Sequence, residues 1–423
     1  MTIDRRVFSN SAWMMLEKFL GIFGLIFVNS YMAKYIGPEN FGKLAFTVSI
    51  FVFVQTFSWF GAQSILFKRM SENIKSGINL SLSSQNLRRS LFIISSTLCL
   101  LYLWLYSDTL TFIFGIGNCI ASYFIINDIY TIYNNSQLTS HVNALSNIAG
   151  LGIALLLRFV LVFYKAEPYT MVFPIIVIAL VPYIIRKIYF NYNNKYYVNS
   201  KSNIKYNKYI LKTGGSLVLS TLSIALYTQI SNIFLAKYTS FASLGIYNVA
   251  LTIGGAWAFV SIALITSYFP KIYATKNKIE ESQLLRQIHL IAIGIGVGCL
   301  LAIFLVGKWF IGLLYGADYI KSASFLPLVV IATTLSTLGT ISYRYMIKLN
   351  GYKYLSIKMF IVSLLSVPLA YFLIRKYGVM GAAMCFIIIE LLSLTVGNYF
   401  FKKGAILDMH SSIFKVKNKI SAQ

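Results

Sequence analysis

The chain has 423 residues, 57% of them hydrophobic and 12% charged, and a net charge of +25. So small a charged share, about half that of an ordinary soluble domain, excludes a water-soluble globular protein and points to a bilayer. The positive charge lies mostly in short connections between apolar runs, a pattern of membrane orientation that sets aside nucleic acid as a partner.

Charge-poor runs of about 18 to 25 residues recur along the whole chain, each long enough to span ~30 Å of hydrocarbon as a helix. The short alternating segments of a membrane β-barrel are absent. In chain order the runs predict twelve helices, over residues 12–33, 44–66, 89–107, 109–131, 143–164, 169–190, 213–236, 247–269, 287–306, 323–347, 355–374 and 379–401. No small-residue cleavage site follows the first run, which is therefore expected to be retained as a helix. Trp309 to Tyr315 is apolar but too short to span, and is expected at the membrane interface. Pro174, Pro182, Pro327 and Pro368 lie inside apolar runs and predict kinks. With the N-terminus in the cytoplasm, the even-numbered connections and the termini carry roughly 26 cations against about 8 in the odd ones, which places both termini inside. Arg88, Arg186, Lys348 and Lys358 count among those connection cations.

A stretch near the start of the chain returns later. Asn29 to Ile50, NSYMAKYIGPENFGKLAFTVSI, aligns without a gap to Asn232 to Ile253, NIFLAKYTSFASLGIYNVALTI, at an offset of 203 residues. Asn29, Ala33, Lys34, Tyr35, Gly42 and Ile50 meet Asn232, Ala236, Lys237, Tyr238, Gly245 and Ile253. A repeat offset by half the chain predicts two similar halves. The longest polar loop, residues 191–212, falls between the sixth and seventh helices. The expected fold is thus an all-α integral membrane protein of about twelve transmembrane helices in two pseudo-symmetric six-helix lobes around a central cleft. Its parts are a lobe over 1–190, a basic cytoplasmic linker over 191–212, a lobe over 213–401 and a basic cytoplasmic tail over 402–423. Halves related by an axis along the membrane normal are one repeat arrangement of secondary transporters.

Several stretches in order along the chain carry a resemblance. They are Trp13 with Glu17 and Lys18 before AKYIGPENFG, Gly61 followed by Lys68 and Arg69, Arg158 in LLLRFVLV, LGIYNVA, Pro270, LLYGADYIKSA, LNGYKYL and YGVMGAA. Together these resemble the bacterial polysaccharide flippases, the O-antigen repeat-unit transporters above all, of the multidrug, oligosaccharidyl-lipid and polysaccharide exporter superfamily. The resemblance implies a two-lobe bundle in the bacterial inner membrane that alternates between inward-open and outward-open forms. It also implies an undecaprenyl-pyrophosphate-linked oligosaccharide as substrate, carried to the periplasmic face, a coupling ion (proton or sodium), and a polysaccharide polymerase as a partner.

A pyrophosphate head group requires cations facing a water-filled cleft, Arg for bidentate hydrogen bonds and Lys as a point charge. Once the connection cations are set aside, three remain inside predicted helices, Lys18, Arg158 and Arg344, and charge at membrane depth points to function. Arg158 has no acidic neighbour in sequence, and its alternative is an ion pair across helices. Arg344 closes a stripe of Thr333, Thr337 and Thr340, and its alternative is snorkelling to the interface. The resemblance adds Lys18 as a head-group contact, against a charge at the inner boundary. Glu17, Asp128 and Glu390 are the carboxylates within helices and the ion-coupling candidates, each with a buried structural pair as its alternative. Asn29, Gln55, Gln63, Gln229, Asn232, Asn248 and Thr252 are expected to line the cleft and hydrogen-bond sugar hydroxyls, or to join helices.

The four cysteines, Cys99, Cys119, Cys299 and Cys385, lack metal or redox spacing and suit packing. His141, His289 and His410 are far apart in sequence, and there is no phosphate-binding loop, so no cofactor and no enzymatic chemistry are expected. Two rival readings are a multidrug antiporter of the same superfamily, which would favour an anionic cleft, and a membrane glycosyltransferase or polymerase, which would need a long periplasmic loop or a carboxylate cluster.

Overall fold

The computed structural model describes residues 5–193 and 204–414, so part of the expected linker (194–203) and the end of the tail (415–423) lie outside the described residues. No strand occurs among the described residues. The chain forms α1 (Arg5–Trp59), two short helices α2 (Ala62–Glu72) and α3 (Ile74–Ser83), then α4 (Gln85–Tyr106), α5 (Thr109–Asn127), α6 (Ile129–Ser136), α7 (Ser140–Phe163) and α8 (Val172–Asn193). There follow α9 (Ile204–Tyr238), α10 (Phe241–Ala256), α11 (Ala258–Ala274), α12 (Lys278–Tyr315), α13 (Leu326–Lys348), α14 (Tyr352–Leu394), α15 (Val396–Tyr399) and α16 (Ala405–Phe414).

Among the described residues ten helical stretches are long and apolar enough to cross a membrane. Two of the long helices, α1 and α14, are each interrupted at a glycine. In α1 the break is Gly37, at φ 77° and ψ 167°. Pro38 opens the second limb, where its missing N–H costs nothing and Glu39 suits the positive end of the helix dipole. The expected polar loop here is therefore the first turn of a helix. In α14 the break is Gly378, at φ 57° and ψ −129°, a backbone region essentially reserved to glycine. The second copy of the repeat turns over Thr239 and Ser240 alone, and the Ser240 hydroxyl accepts from the Ser243 N–H at 3.1 Å, capping α10. Trp309 to Tyr315 forms the end of α12, whose 38 residues run unbroken.

The chain divides into two compact units, residues 1–245 and 246–423. In the first, the second limb of α1 packs against α4, α5 and α9, and α7 packs on α8. The repeat organises this unit. A Cβ on Gly42 would strike the carbonyl oxygen of Phe241, and a Cβ on Gly245 would strike the carbonyl oxygen of Pro38. Pro38 and Phe241 are themselves repeat equivalents. The first turns of the two copies thus cross back to back, each glycine against the other copy's backbone. Phe46 packs edge-on against Phe241 with ring centres 5.6 Å apart beside the crossing. A second close approach sets Gly61, at φ 70°, against α9, where a Cβ on Gly214 would strike the Phe60 carbonyl.

The second unit is built on a core from α11, α12, α13, α14 and α16, with Phe269, Ile288, Ile341, Leu355 and Ile406 buried in one cluster. Large apolar side chains such as Leu156, Phe163 and Leu305 stand on the outside, as in helices solvated by lipid. Gly42→Ala and Gly245→Ala are each expected to destabilise the fold by about 1–3 kcal/mol, read as a lower melting temperature of the purified chain. Gly215→Ala, where an added Cβ meets nothing within 4 Å, is expected to leave melting unchanged or slightly raised.

Candidate functional site

The buried face of α7 reads Asn143, Ser146, Gly150, Ala154 and Arg158, a line of small and polar residues at helical spacing. A Cβ on Gly150 would lie 2.6 Å from the Pro182 ring, so this face is pressed against α8. Leu145, Leu156, Phe159 and Phe163 on the same helix are exposed. The register of α7 therefore turns Arg158 inward, and only 6% of it is exposed. Its Nη1 donates to Asn29 Oδ1 on the first limb of α1 at 3.0 Å, while its Nε has no partner among the described residues. Among the described residues no carboxylate pairs with this guanidinium, which a neutral amide holds, a costly state in a membrane and a ready receptor for an anion.

The other polar candidates of the first unit form separate contacts. Asn232 donates to Ser49 Oγ at 3.0 Å and to Gln229 Oε1 at 3.1 Å, and its own Oδ1 is buried without a partner. Gln55 donates to Ser122 Oγ at 2.9 Å, while Gln63 is exposed on α2. Glu17 and Lys18 lie on α1, but their side chains are outside the described residues. In the second unit Asn248 and Thr252 share one turn of α10, the Thr252 hydroxyl donating to the Asn248 carbonyl at 2.8 Å.

Asp128 sits at the break between α5 and α6, where it caps α6 through the Thr131 N–H at 3.3 Å. Its carboxylate meets Arg186 Nη1 at 2.7 Å. Arg186 is also bound to Thr131 and Asn147, and its Nε donates to the Pro182 carbonyl at 3.2 Å. This network ties α5, α6, α7 and α8 together and gives Asp128 the geometry of a structural clamp. Nearby, Arg88 is the largest fully buried side chain among the described residues. It donates to the carbonyls of Ile126 at 2.9 Å and Ser81 at 3.3 Å and lies 4.9 Å from the centre of the Trp59 ring.

In the second unit Glu390 and Lys358 are 6% and 8% exposed, on the two limbs of α14. Ser336 of α13 and the charge of Lys358 are the neighbours that act on Glu390 electrostatically. Arg344 lies partly exposed on α13, with Nη2 donating to Thr266 Oγ1 at 3.0 Å and its guanidinium 5.6 Å from the Phe269 ring centre. The threonine stripe before it looks into the unit: Thr333 and Thr337 are buried, with their hydroxyls on the carbonyls of Val329 and Thr334.

Arg88, Arg186 and Lys358, placed by sequence in the cytoplasmic connections, are all buried. Helical register held the signal that was missed. Arg88, Phe92 and Ser96 lie on one buried line of α4, Pro182, Arg186 and Phe190 on one of α8, and Leu355, Lys358, Val362 and Ser366 on one of α14. Arg186→Ala leaves the Asp128 carboxylate buried alone and is expected to cost about 3–5 kcal/mol of stability, whereas Asp128→Leu combined with Arg186→Met recovers most of it, both read in thermal melts.

The chain matches the family model described as "Polysaccharide biosynthesis protein" over residues 7–276. It is 27% identical over 229 residues to the capsular polysaccharide biosynthesis protein CapF of Staphylococcus aureus. That match takes in 50% of this chain and 55% of CapF, so the chain spans about half the length of this curated relative. Among solved structures, a multidrug resistance MATE family transporter of the MOP superfamily in its inward-facing conformation superposes with a TM-score of 0.70 at 14% identity, covering 95% of this chain and 96% of that one. The lipid II flippase MurJ in its inward closed conformation also gives 0.70, at 18% identity, covering 96% of this chain and 90% of that one. At such identities the likeness is one of fold: a multi-pass membrane protein with the architecture of these transporters. By a family match that covers well over half of its length, the chain belongs to the polysaccharide biosynthesis protein family.

Proposed function

We propose that this chain is a secondary transporter that flips an undecaprenyl-pyrophosphate-linked oligosaccharide, the repeat unit of an O-antigen or another surface polysaccharide, from the cytoplasmic to the periplasmic leaflet of the bacterial inner membrane. Membership of a polysaccharide biosynthesis family supports the sugar, and a fold shared with a lipid II flippase supports the lipid carrier. The observation that carries the reading is Arg158, buried on α7 with the neutral Asn29 as its hydrogen-bond partner and an unused Nε. Such a cation suits a pyrophosphate that must leave water.

In this reading Arg158, Lys18 and Arg344 meet the head group, and Asn29, Gln55, Gln63, Gln229, Asn232, Asn248 and Thr252 serve the sugars. The lobes 1–190 and 213–401 are the moving bodies of an alternating-access cycle, with both termini and the linker 191–212 in the cytoplasm. A polysaccharide polymerase receives the product. The cycle is driven by a coupled ion, for which Glu390 is the leading candidate because Asp128 is tied to Arg186. Glu17 completes the coupling candidates.

The shared fold with a multidrug transporter favours a second reading, export of cationic drugs. Buried Arg158, whose described partner is a neutral amide, opposes it, since a cationic drug calls for an anionic cleft. Deleting the gene is expected to trap complete undecaprenyl-pyrophosphate oligosaccharides on the cytoplasmic face and to strip polymer from the surface, both read by mass spectrometry. In the same strain Arg158→Ala is expected to restore neither while inserting normally, and Arg158→Lys to restore part. Full rescue by Arg158→Ala would remove Arg158 from the site, and unchanged lipid-linked pools in the deletion would favour drug efflux.

A further inference from the structure

The two limbs of α14 lie against each other after the break at Gly378, close enough that a Cβ on Gly381 would strike the Leu373 carbonyl. This brings Lys358, on the first limb, beside the end of the second. Its ammonium donates to Asn398 Oδ1 at 3.0 Å and to the Ser393 carbonyl at 3.3 Å. Asn398 is oriented by its own bond to the Leu394 carbonyl at 2.9 Å, and the Tyr354 hydroxyl donates to the Gly397 carbonyl at 2.9 Å. Gly397 leaves room for the lysine stem, since a Cβ there would lie 3.4 Å from Lys358 Cγ and Cδ. Ser393 is three residues after Glu390, so the ammonium is held about one helical turn from the carboxylate.

The charged groups of neighbouring elements are engaged elsewhere. On α13 Arg344 is bonded to Thr266, and Lys348 to Glu281 and the Ile272 carbonyl. On α16 His410 lies against Ser342 and Tyr399. Lys353, Arg375 and Lys376 of α14 itself are exposed. Among the described residues Lys358 is thus the charge that acts on Glu390, from the other limb of the same helix.

An amide oxygen and a backbone carbonyl, with a carboxylate nearby, are the kind of ligands that a hard metal cation prefers. Here an ammonium with three N–H donors takes the two neutral oxygens. A sodium ion would have to displace that ammonium or share the cage with it, like charge against like. A proton needs no room. Because the ammonium rests on neutral oxygens, Glu390 can take up and release a proton while the hydrogen bonds of Lys358 stay in place.

We propose that Lys358 is a built-in substitute for a bound metal cation, so that Glu390 exchanges a proton and the site excludes sodium. This rests on the reading of the chain as an ion-coupled transporter, but its tests need no lipid-linked substrate and so succeed or fail apart from the choice of cargo.

The first test is the melting temperature of the purified full chain in sodium chloride against equal potassium chloride. Wild type and Glu390→Gln are expected to melt alike in the two salts. Lys358→Met is expected to gain a sodium-specific upward shift, by linkage of folding to binding, and to lose it when combined with Glu390→Gln. A sodium-specific shift in wild type that Glu390→Gln abolishes, or a folded Lys358→Met that ignores sodium, would overturn the proposal. The second test holds even where Lys358→Met does not fold. Potentiometric titration of wild type against Glu390→Gln is expected to show one proton fewer exchanged by the variant, and identical curves would overturn the proposal.

Discussion

A cation taken out of water must be held by something, and the hydrocarbon of a bilayer supplies nothing. That constraint shapes the interior of this protein. Arg88, Arg158 and Lys358 are buried and bonded to carbonyl or amide oxygens. Among the described residues Arg186 is the buried cation that pairs directly with a carboxylate, and it is also the most fully bonded. Its desolvation is offset by a complete shell, the condition under which a buried ion pair holds a fold together. Arg158 has no such shell, which separates a group that waits for a ligand from one that serves the scaffold.

The crossing of Gly42 with Gly245 supplies the geometric frame for these groups. It sets the second limb of α1 against α9, and from that limb Ser49 reaches Asn232 and Gln55 reaches Ser122. The repeat equivalents Asn29 and Asn232 have meanwhile taken different tasks. Asn29 accepts from Arg158, whereas Asn232 donates to Ser49 and Gln229. Equivalent positions of the two copies thus serve a cation in one and a helix contact in the other.

Much of the fold was legible in the chain. Apolar length gave the crossings, and the returning stretch marked the glycines that turned out to touch. The loops were read too long because Pro38 and Ser240 look like loop residues while acting as helix starts, a distinction that depends on the conformation of the residue before them. The buried lysine and arginines were read as connection cations because each lies near a helix end, where snorkelling is the default. Only the face on which they lie, shared with Phe92, Phe190 or Ser366, marks them as interior. That Glu390 and Lys358 face one another could not be read at all, since it depends on a helix folding back at a glycine rather than at a polar loop.

The reciprocity of the glycine crossing bears on how the two copies of the repeat can diverge. Each glycine is held to its size by the backbone of the other copy, not by a side chain, and backbone cannot be trimmed by mutation. A larger residue in one copy therefore finds no compensating change in the other. Most other positions of the repeat differ between the copies, as Pro38 and Phe241 do. Across relatives that carry both copies the two glycines should be fixed independently, each invariant by itself, and no correlated substitution should link them.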